Sequence, residues 1–348
     1  MNIRHQYVAV QVEKNRAHGR AMLEGIADYA LAKTDWRLEL VEPELLQDVS
    51  AVRKFDGLIV RVMDDVTADV LGRSRRPVID TYGRIDDNPL PSIRLDDATI
   101  AEMVFACFSE HHYRAFAYCG FPGVRFSDAR GKAFEAYGEK AGCPVWAYGK
   151  KVPVTDMFFR DEKTGVPDAG SLAAWLKKLP KPIAIFCCND LRAVQVMKTC
   201  ANIGLGVPKD IAVIGVDNDI LLCTFTNPSL SSVFTDPFSL GRQAAEMLDE
   251  RMKAMRESEK GVHAASYAPF LWKPKKVVER MSTDAYPFRT TWLGDAVRYI
   301  RRNLATGVTA NDVYAFVGYS HPKVNQAFNE ELGHTVKKEI LLQRTRLA

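Results

Sequence analysis

The sequence predicts an α/β protein of two doubly wound lobes, each built on a parallel sheet, followed by a small all-α helix-turn-helix domain. Short apolar runs alternate with amphipathic stretches through about the first 280 residues, which is typical of parallel sheets covered by helices on both faces. That length exceeds what one sheet accommodates comfortably, so we expect two lobes that face each other across a cleft. After a polar stretch near residues 281–291, only helical patterns follow.

The strand and helix patterns alternate in order along the chain. Val194, Met197 and Ala201 illustrate the helical spacing, because they lie on one face of a helix. The predicted strands are residues 7–12, 57–62, 76–83, 115–120, 183–188 and 211–217, with a short strand at Val277 and Val278. We therefore divide the chain into a bilobed α/β domain at residues 1–280, a linker at 281–291 and a helical domain at 292–348.

The composition excludes several classes of protein. No apolar run approaches the roughly 20 residues that span a bilayer, and the N-terminal residues lack the long apolar region of a signal peptide. The seven cysteines are scattered, mostly within apolar runs, and form no CxxC pair. These features predict a cytoplasmic protein that has no membrane partner, keeps its thiols reduced and buried, and has no metal site.

Signatures of catalysis are missing from the sequence. There is no phosphate-binding loop and no GxGxxG, and the segment around Ser320 lacks the context of a nucleophile elbow. Adjacent His111 and His112 lack the four-residue spacing of a helical zinc pair, so a helix-to-strand junction explains them better. Paired carboxylates fit turns and helix N-caps, at residues 64–65, 86–87 and 96–97. We predict no catalytic residue and no cofactor.

Polar side chains stand where predicted strands end, which is where ligands bind in doubly wound sheets. Asn189 and Asp190 follow one strand, Asp217 and Asn218 follow the next, and Arg130 lies near a helix start. Carboxylates, amides and a guanidinium suit the vicinal hydroxyl groups of a sugar. Taken singly, a helix cap or a turn explains each as well, but together they indicate a binding site. Phe126 or Phe158 can supply a flat face for the C–H surface of a sugar.

The C-terminal segment carries the net charge of the chain. Nine Lys and Arg stand against five Asp and Glu in residues 289–348, a surplus of four, which equals the net charge of the whole chain. The positive and negative charges of the first 288 residues are therefore equal in number. A basic tail on a neutral body favours an anionic partner, and double-stranded DNA is the leading candidate. A solvated basic surface is the alternative.

The helical tail has the caps of a helix-turn-helix. Thr309 with Asp312 forms a capping box, Gly318 permits a left-handed turn, and Ser320 can cap the next helix. Thr335 starts a further helix through Leu347. The predicted small core consists of Val313, Phe316, Val317, Val324 and Phe328. A partner-binding helical module is the alternative, but no sustained heptad seam occurs.

The second helix of this pair presents the residues that we predict at the DNA. Four of them lie on or near the exposed face: His321, Lys323, Asn325 and Gln326. Asn325 and Gln326 have the paired donor and acceptor that suit adenine. Lys323, together with Arg301 and Arg302, is predicted to contact the phosphate backbone.

The ordered motifs of the first 284 residues resemble the sensor of LacI/GalR-type regulators. They are "EHHYRAFAYCG" at 110–120, "CNDLRAVQVM" at 188–197, "GVPKDIAVIGVDND" at 206–219 and "NPSLSSVFTDPFSLGRQAAEML" at 227–248. This resemblance implies the type I fold of periplasmic sugar-binding proteins. It also implies that the five polar residues named above are sugar ligands, namely Arg130, Asn189, Asp190, Asp217 and Asn218. The loop at residues 13–20 is expected to form the opposite wall of the cleft.

The order of domains differs from that of LacI-type regulators, because the helices follow the sensor. The tail is similar to the first of the two helix-turn-helix units of an AraC/XylS-type DNA-binding domain. A sensor joined to such a tail resembles the family of xylose-operon regulators. That resemblance implies D-xylose or a related aldopentose as ligand, activation of pentose catabolic genes, and a homodimer on DNA. Alternatives are a stand-alone cytoplasmic carbohydrate-binding protein and a sugar-modifying enzyme.

Overall fold

The computed structural model describes residues 5–85, 90–149, 168–257 and 267–347. The strands are β1 Gln6–Gln11, β2 Trp36–Leu40, β3 Gly57–Val60, β4 Val78–Asp80, β5 Ile93–Leu95, β6 Phe116–Cys119, β7 Val145–Ala147, β8 Ile183–Cys187, β9 Ile211–Val216, β10 Ser231–Phe234, β11 Phe270–Trp272 and β12 Lys276–Val278. The helices are α1 Ala17–Lys33, α2 Val49–Val52, α3 Asp65–Ser74, α4 Asp97–Glu110, α5 Arg125–Lys140, α6 Ala169–Lys178, α7 Asp190–Asn202, α8 Ile220–Phe225, α9 Pro237–Glu257, α10 Thr291–Arg302, α11 Ala310–Val317, α12 His321–Leu332 and α13 Val336–Leu347. In the described ranges, no helix is both long and apolar enough to cross a bilayer.

The first lobe is a four-stranded parallel sheet in the order β2-β1-β3-β4, with helices on both faces. Because side chains alternate along a strand, Val8 and Val10 pack under α1 and α9, whereas Ala9 faces α2 and α3. Helices α1 and α9 cross closely. A side chain in place of Gly241 would meet the backbone of Met22 on α1.

The second lobe is a six-stranded sheet in the order β12-β10-β9-β8-β6-β7. Its strands are parallel except β12, which runs antiparallel to β10 at one edge. One face packs under α4 and α5 around Phe108, Phe134 and Phe186, and the other under α6 and α7 around Leu176 and Val196. The predicted pair of doubly wound lobes is therefore confirmed.

The chain passes from one lobe to the other three times. It leaves the first lobe between β5 and α4, returns between β10 and α9, and leaves again between β11 and β12. Strands β5 and β11 pair in parallel, so two of these crossings lie side by side. They form the hinge of the cleft.

Helices α10 to α13 enclose a core of their own. Leu293, Val297, Ile300, Val313 and Phe328 are fully buried in it. The predicted capping box is present, since Thr309 and Asp312 bond reciprocally, and Gly318 ends α11 with φ +70°. Helix α13 begins at Val336, as predicted.

Two details of the tail differ from the predictions. Phe316 was placed in the core, but it is 50% exposed and stacks on Tyr299 with ring centroids 4.2 Å apart. Helix α11 is only two turns long, so its buried stripe is filled by Val313 and Tyr314, and Phe316 points outward. Ser320 precedes α12 but makes no side-chain cap hydrogen bond.

The start of the predicted linker is packed against the second lobe. Met281–Thr283 forms a short 3-10 helix in which Ser282 and Thr283 are buried. The Ser282 hydroxyl donates to the carbonyl of Val213 on β9, at 2.6 Å. The chain then continues through Tyr286 and Phe288, whose rings stack on each other. Tyr286 also stacks on His111 at the end of α4, and Phe288 makes a tilted ring contact with His112.

Candidate functional site

A cavity of about 120 Å³ lies between the two lobes. One water needs about 10–15 Å³ of such space, so the cavity has room for roughly eight to twelve water-sized groups, whereas a pentose has about ten non-hydrogen atoms. Its walls are Val12, Glu13, Arg16, His18, Gly19, Met22, Arg61, Thr81, Tyr82, Arg94, Leu95, Asp97, Arg125, Phe126, Arg130, Asn189, Asp217 and Leu240.

The fold brings these residues together at the carboxyl ends of parallel strands. Arg61 and Tyr82 follow β3 and β4 in the first lobe, while Asn189 and Asp217 follow β8 and β9 in the second. Doubly wound sheets bind ligands at this edge, because the loops there are not hydrogen-bonded to neighbouring strands. The loop at residues 13–20 lines the cavity, as predicted.

On the first lobe, one carboxylate orders two arginines. The Glu13 carboxylate accepts from Nη1 of Arg61 at 2.7 Å, and its other oxygen lies 3.0 Å from Nε of Arg16. The Arg61 guanidinium also lies over the Tyr82 ring, 4.1 Å from its centroid. Held in this way, Arg61 and Tyr82 present a fixed polar edge and a flat aromatic edge to the cavity.

On the second lobe, Arg130 is buried and fixed on three sides. Its Nε donates to Asp97 at 2.8 Å, its Nη1 donates to the carbonyl of Cys188 at 2.5 Å, and it lies 5.0 Å from the Phe126 ring centroid. Burial raises the pKa of the Asp97 carboxyl, and the Arg130 guanidinium offsets part of that rise. Of the two predicted aromatic residues, Phe126 lines the cavity and Phe158 lies outside the described residues.

The turn after β9 places two predicted ligands in different directions. Asp217 and Asn218 both have positive φ, +105° and +52°, which is uncommon for residues with a side chain and marks a constrained turn. Asp217 lines the cavity. The Asn218 side chain faces away, because its amide oxygen accepts from Nη2 of Arg280 at 2.7 Å.

The side chains of Asn189 and Asp190 also point to different places. Asn189 lines the cavity while its side-chain oxygen caps α7 by accepting from the backbone N–H of Arg192, so the cap and a ligand role coexist. Asp190 does not line the cavity. Its carboxylate is buried behind the cavity wall and accepts from the Asp219 N–H at 2.8 Å and the Ser232 hydroxyl at 2.5 Å. In this position it supports the turn that carries Asp217.

The burial of Asp190 predicts a dependence of stability on pH. Desolvation, and then the charge of Asp217, raise the pKa of Asp190 well above its usual value. An acid with a raised folded pKa binds more protons when folded, so its stabilising contribution is present below about pH 4 and falls as pH rises towards the folded pKa. The loss is at most about 1.4 kcal/mol per pH unit.

Asp190→Asn removes this titration and retains an oxygen that can accept from Ser232. We therefore expect the variant to gain stability relative to the wild type as pH rises from about 4 to 7. Urea unfolding at several pH values measures this difference. The exposed Asp69→Asn variant is the control. A difference that stays constant with pH contradicts the prediction.

Two contacts at the cavity join the lobes directly. Nδ1 of His18 lies 3.7 Å from the Asp217 carboxylate, and the rings of Tyr82 and Phe126 lie 6.4 Å apart. Desolvation in the cleft lowers the pKa of His18, although the charge of Asp217 opposes this shift. The lowered pKa favours the neutral imidazole at pH 7. Polar and aromatic groups of both lobes thus surround one small volume.

Sequence reasoning missed several of these residues. Arg61 and Tyr82 follow predicted strands, so their positions were readable in principle, but no motif marked them. Asp97 was read with Asp96 as a cap. The structure separates the two, because Asp96 caps α4 and Asp97 lines the cavity. Residues 86–87 lie outside the described part of the chain.

Three of the residues predicted at DNA are exposed on α12. Lys323 lies over the Tyr319 ring with Nζ 3.8 Å from the centroid, and His321 stacks on Tyr314. Gln326 is exposed and bonds to Glu330 in the next turn. All three side chains project from the exposed part of α12, with His321 and Lys323 on opposite flanks of it.

Asn325 is oriented differently from these three. Its amide nitrogen donates to the Tyr314 hydroxyl at 2.8 Å, and its amide oxygen lies 3.3 Å from the N–H of Val336 at the start of α13. The amide therefore connects α12 to α11 and α13. In this arrangement the amide nitrogen and the amide oxygen, the two atoms that would contact a base, already have hydrogen-bond partners within the tail.

Arg301 and Arg302 on α10 contact the second lobe. Arg301 donates to Glu279 and lies 2.7 Å from Nε2 of His111, while Arg302 donates to Asp284 at 2.7 Å. Arg298 also donates to Asp284, at 2.8 Å. These ion pairs hold α10 against the second lobe and the segment that follows it, so the two arginines predicted at DNA phosphates are engaged within the chain.

Comparison with known proteins gives relatives along nearly the whole chain. The xylose operon regulatory protein of Haemophilus influenzae is 26% identical over 98% of this chain and 86% of its own length. The xylose operon regulatory protein of Escherichia coli K12 is 26% identical over 96% of this chain and 83% of its own length. The predicted likeness to xylose-operon regulators is confirmed. These relatives are transcription regulators, which agrees with the prediction of a non-enzyme.

Solved structures and a family model agree on the fold. The structure of the xylose-binding transcription activator xylR covers 99% of this chain and 86% of its own, with a TM-score of 0.67 and 24% identity. Residues 105–283 match the model of the periplasmic binding protein-like domain. That match spans just over half of the sequence, so this chain belongs to the periplasmic binding protein-like domain family.

Proposed function

We propose that the chain is a sugar-responsive transcription regulator that binds D-xylose between its lobes and controls pentose catabolic genes. The observation that carries this proposal is the polar cavity between two hinged lobes in a chain that also carries a helical tail with a separate core. Similarity to two xylose operon regulatory proteins over nearly the full length supports the pentose.

The chemistry of the cavity suits a monosaccharide. Asp217, Asn189 and Arg130 supply an acceptor, an amide and a donor on one lobe, and Glu13 and Arg61 supply an acceptor and a donor on the other. Vicinal hydroxyls both donate and accept, so each can bond to such a pair. The faces of Tyr82 and Phe126 suit the C–H surface of the ring. Asp190 and Asn218 would act indirectly, by positioning Asp217.

Calorimetry of the full chain against D-xylose, L-arabinose, D-ribose, D-glucose and D-galactose tests the ligand. We expect the tightest binding for D-xylose and weaker or no binding for the hexoses, because the small cavity leaves little room for a further hydroxymethyl group. Following each sugar by chromatography during incubation tests for turnover, and we expect none. No heat with any pentose would contradict the proposal.

A second ligand class is favoured by the charge of the cavity. Its walls carry five guanidinium groups and three carboxylates, a surplus of two positive charges with His18 neutral. The guanidinium groups belong to Arg16, Arg61, Arg94, Arg125 and Arg130, and the carboxylates to Glu13, Asp97 and Asp217. A sugar acid would compensate part of this surplus. Adding D-xylonate and D-glucuronate to the calorimetric panel distinguishes an acidic sugar from a neutral one.

The tail would bind DNA through α12. Its Lys323, His321 and Gln326 are exposed, whereas Val324 and Phe328 of the same helix pack into the small core. We propose an AraC-type mode in which this helix enters the major groove, two chains act as a homodimer on paired half-sites, and the outcome is activation. Such a regulator would act in the cytoplasm, where the DNA is. Arg301 and Arg302 would contact phosphates only after release from the second lobe.

A chain of contacts leads from the cavity to the tail. Asp217 lines the cavity, and its neighbour Asn218 accepts from Arg280, which immediately precedes the 3-10 helix at Met281–Thr283. Arg280 also donates to the carbonyl of Leu230, at 2.9 Å. A movement of the turn on sugar binding would therefore reach the start of the segment that carries α10.

Arg280→Ala should weaken the coupling between sugar and DNA while sugar affinity stays within about threefold. Coupling free energies between two sites are typically about 1–3 kcal/mol, and loss of the Asn218 contact removes one physical link. DNA titrations with and without sugar measure the change. The exposed Arg289→Ala is the matched control. A sugar effect on DNA affinity that equals that of the wild type would rule out this route.

A further inference from the structure

Three potential metal ligands meet where the second lobe contacts α10. Cys107 lies in the last turn of α4 and His111, four residues later, is its C-cap, so the two lie on one side of the helix end, and Glu279 follows β12. The Cys107 sulfur, a ring nitrogen of His111 and a carboxylate oxygen of Glu279 all lie within 4.8 Å of one another. A thiolate, an imidazole and a carboxylate are the three kinds of group that bind zinc in proteins.

The hydrogen bonding of His111 suits a metal ligand. Its Nδ1 lies 3.3 Å from the carbonyl of Ala285, so Nδ1 carries the proton and Nε2 turns its lone pair towards the cluster. Histidines that bind metals almost always donate their second ring nitrogen in this way. The Cys107 thiol is only 6% exposed and, within the described ranges, makes no hydrogen bond.

The current neighbours of Nε2 cannot all be satisfied at once. Both the Glu279 carboxylate and Nη1 of Arg301 lie 2.7 Å from this one atom. If Nε2 accepts from Arg301, two lone pairs face each other at Glu279. If it is protonated and donates to Glu279, two donors meet at Arg301. A cation that accepts a lone pair from both His111 and Glu279 removes this conflict.

We propose that Cys107, His111 and Glu279 form a site for a zinc-like divalent cation, which displaces the guanidinium of Arg301. A thiolate and a carboxylate balance the two charges of the ion, and three protein ligands leave a fourth position for water, as in open zinc sites. The Cys107 proton is released to solvent on binding. Arg301 occupies the place of the ion because it is itself a cation that pairs with Glu279.

This assignment makes the metal and the docking of α10 competitors. Arg301 uses the same two side chains that would bind the ion, so each excludes the other from Glu279 and His111. Binding of the ion thus removes one of the ion pairs between α10 and the second lobe. The site is separate from the cavity between the lobes, with which it shares no residue.

Titration of the reduced full-length chain with cobalt(II) chloride, followed by displacement with zinc chloride, tests the site. Thiolate bound to cobalt gives a charge-transfer band in the near ultraviolet, and we expect this band to saturate at one equivalent. Cys107→Ala should abolish the band and lower zinc affinity at least tenfold. Arg301→Gln should raise the affinity by about tenfold, because a competing cation is removed. Cys223→Ala, which removes another buried thiol of the same lobe, should behave as the wild type.

Thermal unfolding with and without zinc provides a readout that does not depend on the cobalt spectrum. We expect zinc to raise the unfolding temperature of the wild type and not that of Cys107→Ala. The proposal is overturned if the wild type shows no thiolate band, or if the band persists in Cys107→Ala. Equal zinc affinity in Arg301→Gln and the wild type would overturn the competition with α10.

Discussion

Replacing Asp217 by Ala should lower sugar affinity by tenfold or more. The carboxylate lines the cavity at the end of β9, beside His18 of the opposite lobe, so it can serve both the sugar and the closed arrangement. A hydrogen bond to a charged group contributes about 1.5–3 kcal/mol, which corresponds to roughly 10- to 150-fold in affinity. Calorimetry with D-xylose measures the loss, and urea unfolding checks the fold.

Two further variants distinguish the loss of a sugar contact from a change in the turn as the cause of weaker sugar binding. Asp217→Asn retains a residue that tolerates the positive φ of this turn, so it tests the charge without straining the backbone. Asp219→Ala removes a carboxylate two residues away that caps α8 and does not line the cavity. We expect Asp219→Ala to affect stability and to leave the affinity of folded molecules within about twofold. If Asp217→Ala also leaves affinity unchanged, Asp217 is a turn residue only.

Deletion of residues 292–348 should abolish DNA binding and preserve sugar binding. The cores of the two lobes contain no residue beyond position 283, and the core of the tail contains none of theirs, so each can persist without the other. A single inserted helix offers about three or four phosphate contacts, and each contributes about −0.9 to the slope of log affinity against log salt. Mobility-shift titrations at several salt concentrations measure this slope for the full chain, which we expect near −3.

Duplexes selected from a random pool supply the DNA for this test, with an unselected duplex as the non-specific control. In the full chain, Lys323→Ala should weaken both duplexes alike, because lysine contacts phosphates, whereas Gln326→Ala should reduce the preference for the selected one. Asn325→Ala should act through the packing of α11 and α13 as well, since its amide already bonds there. Undiminished DNA binding by the deletion variant would show that the tail does not read DNA.

Strands that consist of apolar runs were readable from the sequence, including β4 at the edge of its sheet, whereas most of the polar or very short strands were not. All six apolar runs assigned to strands in the lobes are strands, and five of them are central strands of a parallel sheet, which have no polar face. β2 was missed because four of its five residues are exposed, and β10 was missed, although it is buried, because two of its four residues are serines. β5, β7 and β11 were missed because each has only three residues, too few for a period to appear.

The candidate site was readable where one rule sufficed, namely that ligands bind at strand ends. That rule identified Asn189 and Asp217. It could not separate them from their neighbours, because hydrogen bonds from Asp219, Ser232 and Arg280 decide which side chains face the cavity. Cys107 and His111 have the four-residue spacing of a helical ligand pair, but spacing alone does not indicate a site, because the third ligand, Glu279, is distant in sequence.

The number of chain crossings decides which parts of the molecule evolution can exchange. The chain crosses between the two lobes three times, so neither lobe is encoded by one continuous stretch of the gene. A single recombination event therefore could not replace a whole lobe. The tail is joined by one covalent connection after Thr283, where a single breakpoint attaches a different helical module. A new module would still require partners for Glu279, Asp284 and His111, so the exchange favours modules whose first helix carries arginines in its last turns, as α10 does.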